Sequence, residues 1–146
     1  MAKKEERQVV KAEPVPYVYV HLVRDSDVLL ARYPAHPKGA AIAYKTGEVF
    51  YKYGDYDEAR CRFEEVMTRW PRTEVAQFAA NLVIERHLTM KDWAAVEQAA
   101  ARLQAQEVAR DPKLQTSLQK FKLGGRFQRA MQLMDGKAWE EAARLF

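Results

Sequence analysis

The sequence predicts an all-α protein, a solenoid of stacked antiparallel helix pairs, on three observations. Apolar residues recur three and four positions apart in one segment after another, which is the period of a helix face. Short breaks bearing Gly, Asp or Pro separate these segments and leave no room for a sheet between them. One string, "YDEARCRF" at 56–63, returns in altered form further along the chain, and recurring helix pairs bury their apolar faces by stacking.

Residues 1–16 form a charged, Pro-punctuated lead-in without an apolar face, expected to be a mobile tail. "YVYVHLV" at 17–23 alternates in part and is rich in Val and Tyr, which fits a short strand, or an extended or helical arm. A helix is expected to start at Ser26 or Asp27, whose side-chain oxygens suit an N-cap, and to close before Pro34 and Pro37. Residues 17–39 would then be a partial unit.

From Ala40 to Tyr51 the residues Ala40, Ala43, Tyr44, Gly47, Phe50 and Tyr51 share a helical face, which Gly54-Asp55 interrupts. The next helix has Tyr56, Ala59, Phe63, Val66 and Met67 on one side and ends at Trp70-Pro71. "TEVAQFAANLVIERHLTM" follows with Thr73 as N-cap, then "KDWAAVEQAAARLQAQEVA" up to Asp111-Pro112, then "KLQTSLQKFKLGGRFQRAMQLMDG" and "KAWEEAARLF".

Aligned with itself, the chain sets Tyr56, Ala59 and Phe63 against Trp93, Val96 and Ala100, 37 residues later, and against Trp139, Ala142 and Phe146, a further 46 on. Steps of three and then four define one side of a helix, with an aromatic in the first turn and a small or apolar residue where neighbours approach.

On these residues the segment 40–73, 34 residues long, resembles a tetratricopeptide repeat. The small residue of its first helix falls on Gly47 and the large apolar partner on Phe50; the turn is Gly54-Asp55-Tyr56, Ala59 and Phe63 are the small and aromatic residues of its second helix, and Pro71 closes it. Pro37 stands 34 residues before Pro71. Segments 74–111 and 112–146 would be a divergent and an incomplete repeat. Thr46 departs from the pattern, which has a large aliphatic there, and Asn81 stands where the second unit's small residue is expected.

"RFEEVMTRWPRTEVAQFAANLV" is similar to tetratricopeptide proteins of the Gram-negative cell envelope, of the outer-membrane-assembly and Tol-Pal-associated kind. "KDWAAVEQAAARL" with "KFKLGGRF" resembles envelope tetratricopeptide proteins of myxobacterial adventurous gliding motility. These resemblances imply an envelope-associated scaffold.

Composition agrees with a helical protein with a modest core: 146 residues, 48% apolar, 30% charged, only six Gly and six Pro. The excess of 24 Lys and Arg over 20 Asp and Glu is small and interspersed, so it implies a solvated surface more than an anionic partner. With Cys61 alone, no intrachain disulfide forms. No apolar run is long enough for a membrane span or a signal peptide, so Met1 as a natural start would mean a cytoplasmic protein. The final helix is still rising at Phe146, however, which leads us to expect a fragment of a longer protein.

No catalytic set, cofactor or metal site is expected. His21, His36 and His87 lack a second ligand at helical spacing. Cys61 lies between Arg60 and Arg62 without a nearby base. The acidic pairs Asp57-Glu58, Glu64-Glu65 and Glu140-Glu141 suit helix dipoles and solvent, and "LGGRF" lacks the ending of a phosphate loop. Lys120, Lys122, Arg126 and Arg129, interleaved with Phe121 and Phe127, form the one nucleic-acid candidate. At helical spacing Phe121, Leu123, Phe127, Ala130 and Met131 are instead expected mostly in the core.

The expected function is a non-catalytic scaffold that takes a protein partner, as an extended peptide or helix, in a concave groove. By the repeat register this face carries Tyr44, Glu48, Tyr51 and Lys52 in one unit and Phe78, Leu82 and Glu85 in the next. Tyr44 and Glu48 stand where repeats that clamp a C-terminal carboxylate carry Lys and Asn, implying a more apolar ligand. Packing of the same face on residues 17–34 or on further repeats, and a purely architectural spacer, are the alternatives.

Overall fold

The computed structural model describes residues 12–136 and 138–145, and every regular element among them is helical. The helices are α1 (Tyr17–Arg32), α2 (Gly39–Lys52), α3 (Tyr56–Arg69), α4 (Glu74–Thr89), α5 (Trp93–Gln104), α6 (Pro112–Asp135) and α7 (Trp139–Leu145), with a 3-10 turn at Glu107–Arg110. The chain divides into two compact units, one running to Ala79 and the other from Ala80, so that α4 contributes residues to both. Most of the expected N-terminal tail, residues 1–11, lies outside the described residues, as do Lys137 and Phe146.

In the N-terminal unit, residues 17–23 are the first turns of α1 and not a strand. With no second strand to pair among the described residues, the backbone satisfies itself from the start: Tyr19 and Val20 donate to the Pro16 carbonyl at 2.9 and 3.2 Å. Ser26 and Asp27, read as helix starts, therefore lie inside α1. Val23 and Leu30, seven residues apart, are its buried positions, and α1 packs on α2. It ends at Arg32, just before Pro34, as expected.

The α2–α3 turn has a geometry that returns. Asp55 donates its amide to the Phe50 carbonyl at 3.0 Å, Asp92 to His87 at 3.1 Å and Ala138 to Leu133 at 2.8 Å, each across five residues. At the first two turns the Asp side chain then caps the helix, accepting from Glu58 N at 3.2 Å and Ala95 N at 3.1 Å. The residue before each of those Asp caps is left-handed: Gly54 with φ 82° and Lys91 with φ 54°.

Counting back from these turns sets Gly47 against Ile84 and Ala130, not against the exposed Asn81. The size order is then exchanged between units. Gly47 meets Phe63, whereas the equivalent positions of the next unit carry Ile84 and Ala100, and all four are buried. Volume is conserved where the sequence pattern alone showed a missing small residue.

In the C-terminal unit, the helix expected over "KDWAAVEQAAARLQAQEVA" stops at Gln104; Gln106 is extended and the 3-10 turn follows. Asp111 then caps α6, accepting from Lys113 N at 2.9 Å and Leu114 N at 3.0 Å, with Pro112 in the first turn where its missing amide costs nothing. α6 packs on α5 and α7.

The expectation that Phe121, Leu123, Phe127, Ala130 and Met131 are mostly core is corrected. Only Ala130 is buried, Phe121 is half-buried, and Leu123, Phe127 and Met131 are exposed. The buried positions of α6 are instead Leu114, Leu118, Gly125 and Ala130. Gly125 lies so close to α5 that a Cβ there would stand 3.0 Å from the Trp93 carbonyl oxygen and 3.2 Å from Glu97 N.

Candidate partner-binding surfaces

Of the seven residues read as a partner face, the structure sets Tyr44 and Tyr51 around one ring and Phe78 against Tyr44. Phe63 of α3 is fully buried, with Tyr44 at 5.6 Å and Tyr51 at 6.2 Å between ring centres. Gly47, between the two tyrosines on α2, leaves the opening: an added Cβ would lie 2.6 and 2.8 Å from Phe63 ring atoms. Tyr51 also meets the edge of Tyr56 at 5.1 Å, so it serves mainly to pack α2 on α3. Tyr44 reaches outward as well, to Phe78 at 6.5 Å, and Phe78 is 46% exposed.

Glu48 is half-buried, accepts from Lys45 Nζ at 2.6 Å and lies near enough to the Tyr44 phenol to raise its pKa. Lys52 belongs to a different cluster. Its ammonium lies over the rings of Tyr19 at 5.8 Å and Tyr53 at 5.6 Å, and Glu13 N donates to the Tyr53 carbonyl at 2.8 Å. These contacts hold the start of α1 against the end of α2. Leu82 and Glu85 lie in the C-terminal unit and are partly exposed.

Burial first, then the field of Glu48 and the hydrogen bond to it, push the Tyr44 phenol up from 10.0 to about 12. The folded state thus holds this proton more tightly than the unfolded chain does. Its stabilising effect is complete below the unfolded value of about 10 and is lost as pH rises to about 12. In a tyrosinate absorbance titration, Tyr44→Phe should remove a late-ionising group. Glu48→Gln should move its midpoint down while burial keeps it above 10.0; an unmoved midpoint would contradict the Glu48 contact.

Arg62, which sequence reading treated only as a neighbour of Cys61, is a structural hub. Its guanidinium donates to both Asp27 oxygens at 2.5 and 3.0 Å and to Glu58 at 2.9 Å, contacts Thr46 Oγ1 at 3.4 Å, and stands 5.3 Å from the Phe50 ring centre. Burial pulls its pKa down, but the bonds to Asp27 and Glu58 outweigh this and raise it overall. It borders an open cleft of about 420 Å³ that Cys61 also lines. The i,i+4 pair Glu58–Arg62 was visible in the sequence; Asp27, 35 residues away, was not.

One carboxylate lies against half of the basic cluster and offsets part of its charge. Glu97 forms ion pairs with Arg126 and with Arg129, each at 3.5 Å, and its side chain is 18% exposed. Lys120 and Lys122 make no ion pair among the described residues. No three His, Cys, Asp or Glu side chains among the described residues are grouped to hold a metal ion, and no described helix is long and apolar enough to cross a membrane.

These surfaces define the chain as an all-helical protein with recurring capped helix turns. No protein-family model, curated protein or solved structure matches it.

Proposed function

We propose that the chain is a non-catalytic interaction scaffold of tetratricopeptide-like helix pairs, stacked as a right-handed solenoid, which binds a protein partner as an extended segment or helix. The observation that carries this reading is the return of one turn at Asp55, Asp92 and Ala138, each followed by an aromatic, Tyr56, Trp93 or Trp139, and then by a buried apolar residue, Ala59, Val96 or Ala142. Repeated supersecondary units of this kind form extended surfaces for protein ligands. The resemblance of residues 62–83 to cell-envelope members, and of 91–103 with 120–127 to gliding-motility members, is the ground for proposing an envelope or motility assembly.

Phe78 is the candidate anchor, because it is exposed and backed by Tyr44, which in turn rests on the buried Phe63. An aromatic supported in this way loses little entropy on binding. Lys52 and Tyr51 contribute less, being engaged inside the unit. Nucleic acid fits the chain less well, since Arg126 and Arg129 already share the Glu97 carboxylate.

A photoreactive benzoylphenylalanine at position 78, introduced into the protein in its native cells, should cross-link a defined protein. The same group at the exposed Arg60 on α3 should not. Phe78→Glu should abolish recovery of that protein without altering the helical circular dichroism. Identical cross-linked products from both positions would sink the anchor, and the architectural-spacer reading would replace it.

A further inference from the structure

α1 meets its neighbours through one side. Val23 and Leu30 are its buried residues, the Tyr19 ring lies 5.8 Å from that of Tyr53, and Asp27 holds Arg62 of α3. On the opposite side Val18, His21, Asp25, Val28 and Arg32 succeed one another by three, four, three and four residues, flanked by Tyr17 and Arg24, and all seven are exposed. Alternating steps of three and four are the spacing of a helix–helix seam.

Part of this side is already organised. Tyr17 and His21 stand edge to face with 4.3 Å between ring centres, a supported pair of rings near the start of the helix. Val18 and Val28 are 75% and 55% exposed. Arg24, Asp25 and Arg32 form no ion pair among the described residues.

The position of the two central charges selects the occupant. The midpoint of α1, which runs from Tyr17 to Arg32, falls between Arg24 and Asp25. A second α1 lying antiparallel about that point overlaps along the whole helix and sets Arg24 of each copy against Asp25 of the other. The same register sets His21 against Val28 and Val18 against Ala31, and brings Arg32 to the Tyr17 ring, each contact occurring twice. A parallel pair would instead oppose Arg24 to Arg24 and Asp25 to Asp25. A uniformly acidic or uniformly basic partner meets a like charge at the centre in either direction, and an anionic lipid or nucleic acid meets Asp25.

We propose that this face of α1 is the contact of an antiparallel homodimer, in which a second copy of the chain supplies the opposing helix. The proposal does not rest on the scaffold reading: it needs no other protein, and a monomeric chain would leave the cross-linking result at Phe78 on α4 untouched. One helix on one helix lies at the small end of specific interfaces, below about 1,200 Å². The dimer is therefore expected to be weaker than about 1 μM and to exchange with monomer.

The test is sedimentation equilibrium on the full chain from about 1 μM to about 1 mM, a range that covers such an affinity. The parent chain should pass reversibly from monomer to dimer. Arg24→Asp and Asp25→Arg should each weaken the dimer by about tenfold or more, since each sets like charges at the centre. An equimolar mixture of these two variants should associate again, because every central pair is then opposite in sign, and the double exchange Arg24→Asp with Asp25→Arg should match the parent. Val28→Glu should weaken the dimer about tenfold with unchanged helical circular dichroism.

A parent chain that stays monomeric over the whole range would overturn the proposal. So would a dimer whose two charge variants associate no better mixed than alone, which would assign the contact to another face. If removal of residues 1–11 is what permits the dimer, the face belongs to that segment; if the parent binds phosphatidylserine vesicles and Val28→Glu does not, it belongs to a lipid surface. Either result displaces the second copy.

Discussion

Phe63→Ala is expected to destabilise the N-terminal unit by about 3–5 kcal/mol in denaturant unfolding, the usual cost of removing a fully buried phenylalanine. Phe63 is 1% exposed and touches the rings of Tyr44 and Tyr51, so its loss leaves two half-buried tyrosines without their common support. A domain's whole stability is roughly 5–15 kcal/mol, so this unit would be left marginal. The more searching measurement is a double-mutant cycle with Gly47.

Gly47→Ala alone should cost about 1–3 kcal/mol by overpacking, since its Cβ would sit 2.6 Å from the Phe63 ring. With Phe63→Ala already in place the clash is gone, and the same change should become neutral or stabilise by up to roughly 1 kcal/mol through helix propensity. A reversal of sign is therefore expected. Additive effects would mean that Gly47 and Phe63 do not share one space.

The second large effect separates two adjacent glycines of α6. Gly125→Leu should cost about 2–3 kcal/mol, because its side chain would push α6 away from the Trp93 carbonyl and the Glu97 amide, backbone atoms that cannot rotate aside. Gly124→Ala meets nothing within 4 Å and should stabilise the helix by roughly 0.5–1 kcal/mol. Thermal unfolding of the two variants side by side reads both signs. If Gly125→Leu is tolerated, the contact of α6 with α5 is not as close as described.

Much of the local structure was legible because it depends on neighbours in sequence. Gly54-Asp55 as a break, Pro34 as a stop and the buried set Ala59, Phe63, Val66 and Met67 follow from side-chain chemistry and helical period. The start of α1 was misplaced because the Val and Tyr content of residues 17–23 suits a strand, and only the absence of a partner strand settles such a segment as helix. Lys91 was not legible either: nothing in its side chain announces the φ of 54° that the turn imposes on it.

The candidate site was legible in part for the same reason. Helical register put Tyr44, Glu48 and Tyr51 on one helix, but register does not say how far a ring is buried. Packing turned Tyr51 toward Tyr56 and Phe63 and left Phe78 exposed beside Tyr44. In α6, an apolar stripe was assigned to the core because 24 helical residues present several apolar lines, and sequence cannot choose which of them a neighbour covers.

By itself, then, the sequence determined the helical class, the breaks at Gly54-Asp55 and Asp111-Pro112 and the stop before Pro34, because these are short-range matters of backbone hydrogen bonds and steric period. Only the tertiary structure decided that Gly47 admits Phe63 while Ile84 and Ala100 exchange those sizes, that Arg62 joins Asp27 to Glu58, and that Leu123, Phe127 and Met131 face outward. Those outcomes depend on which surfaces meet across tens of residues, and close packing makes that choice by volume and charge once the helices are in place.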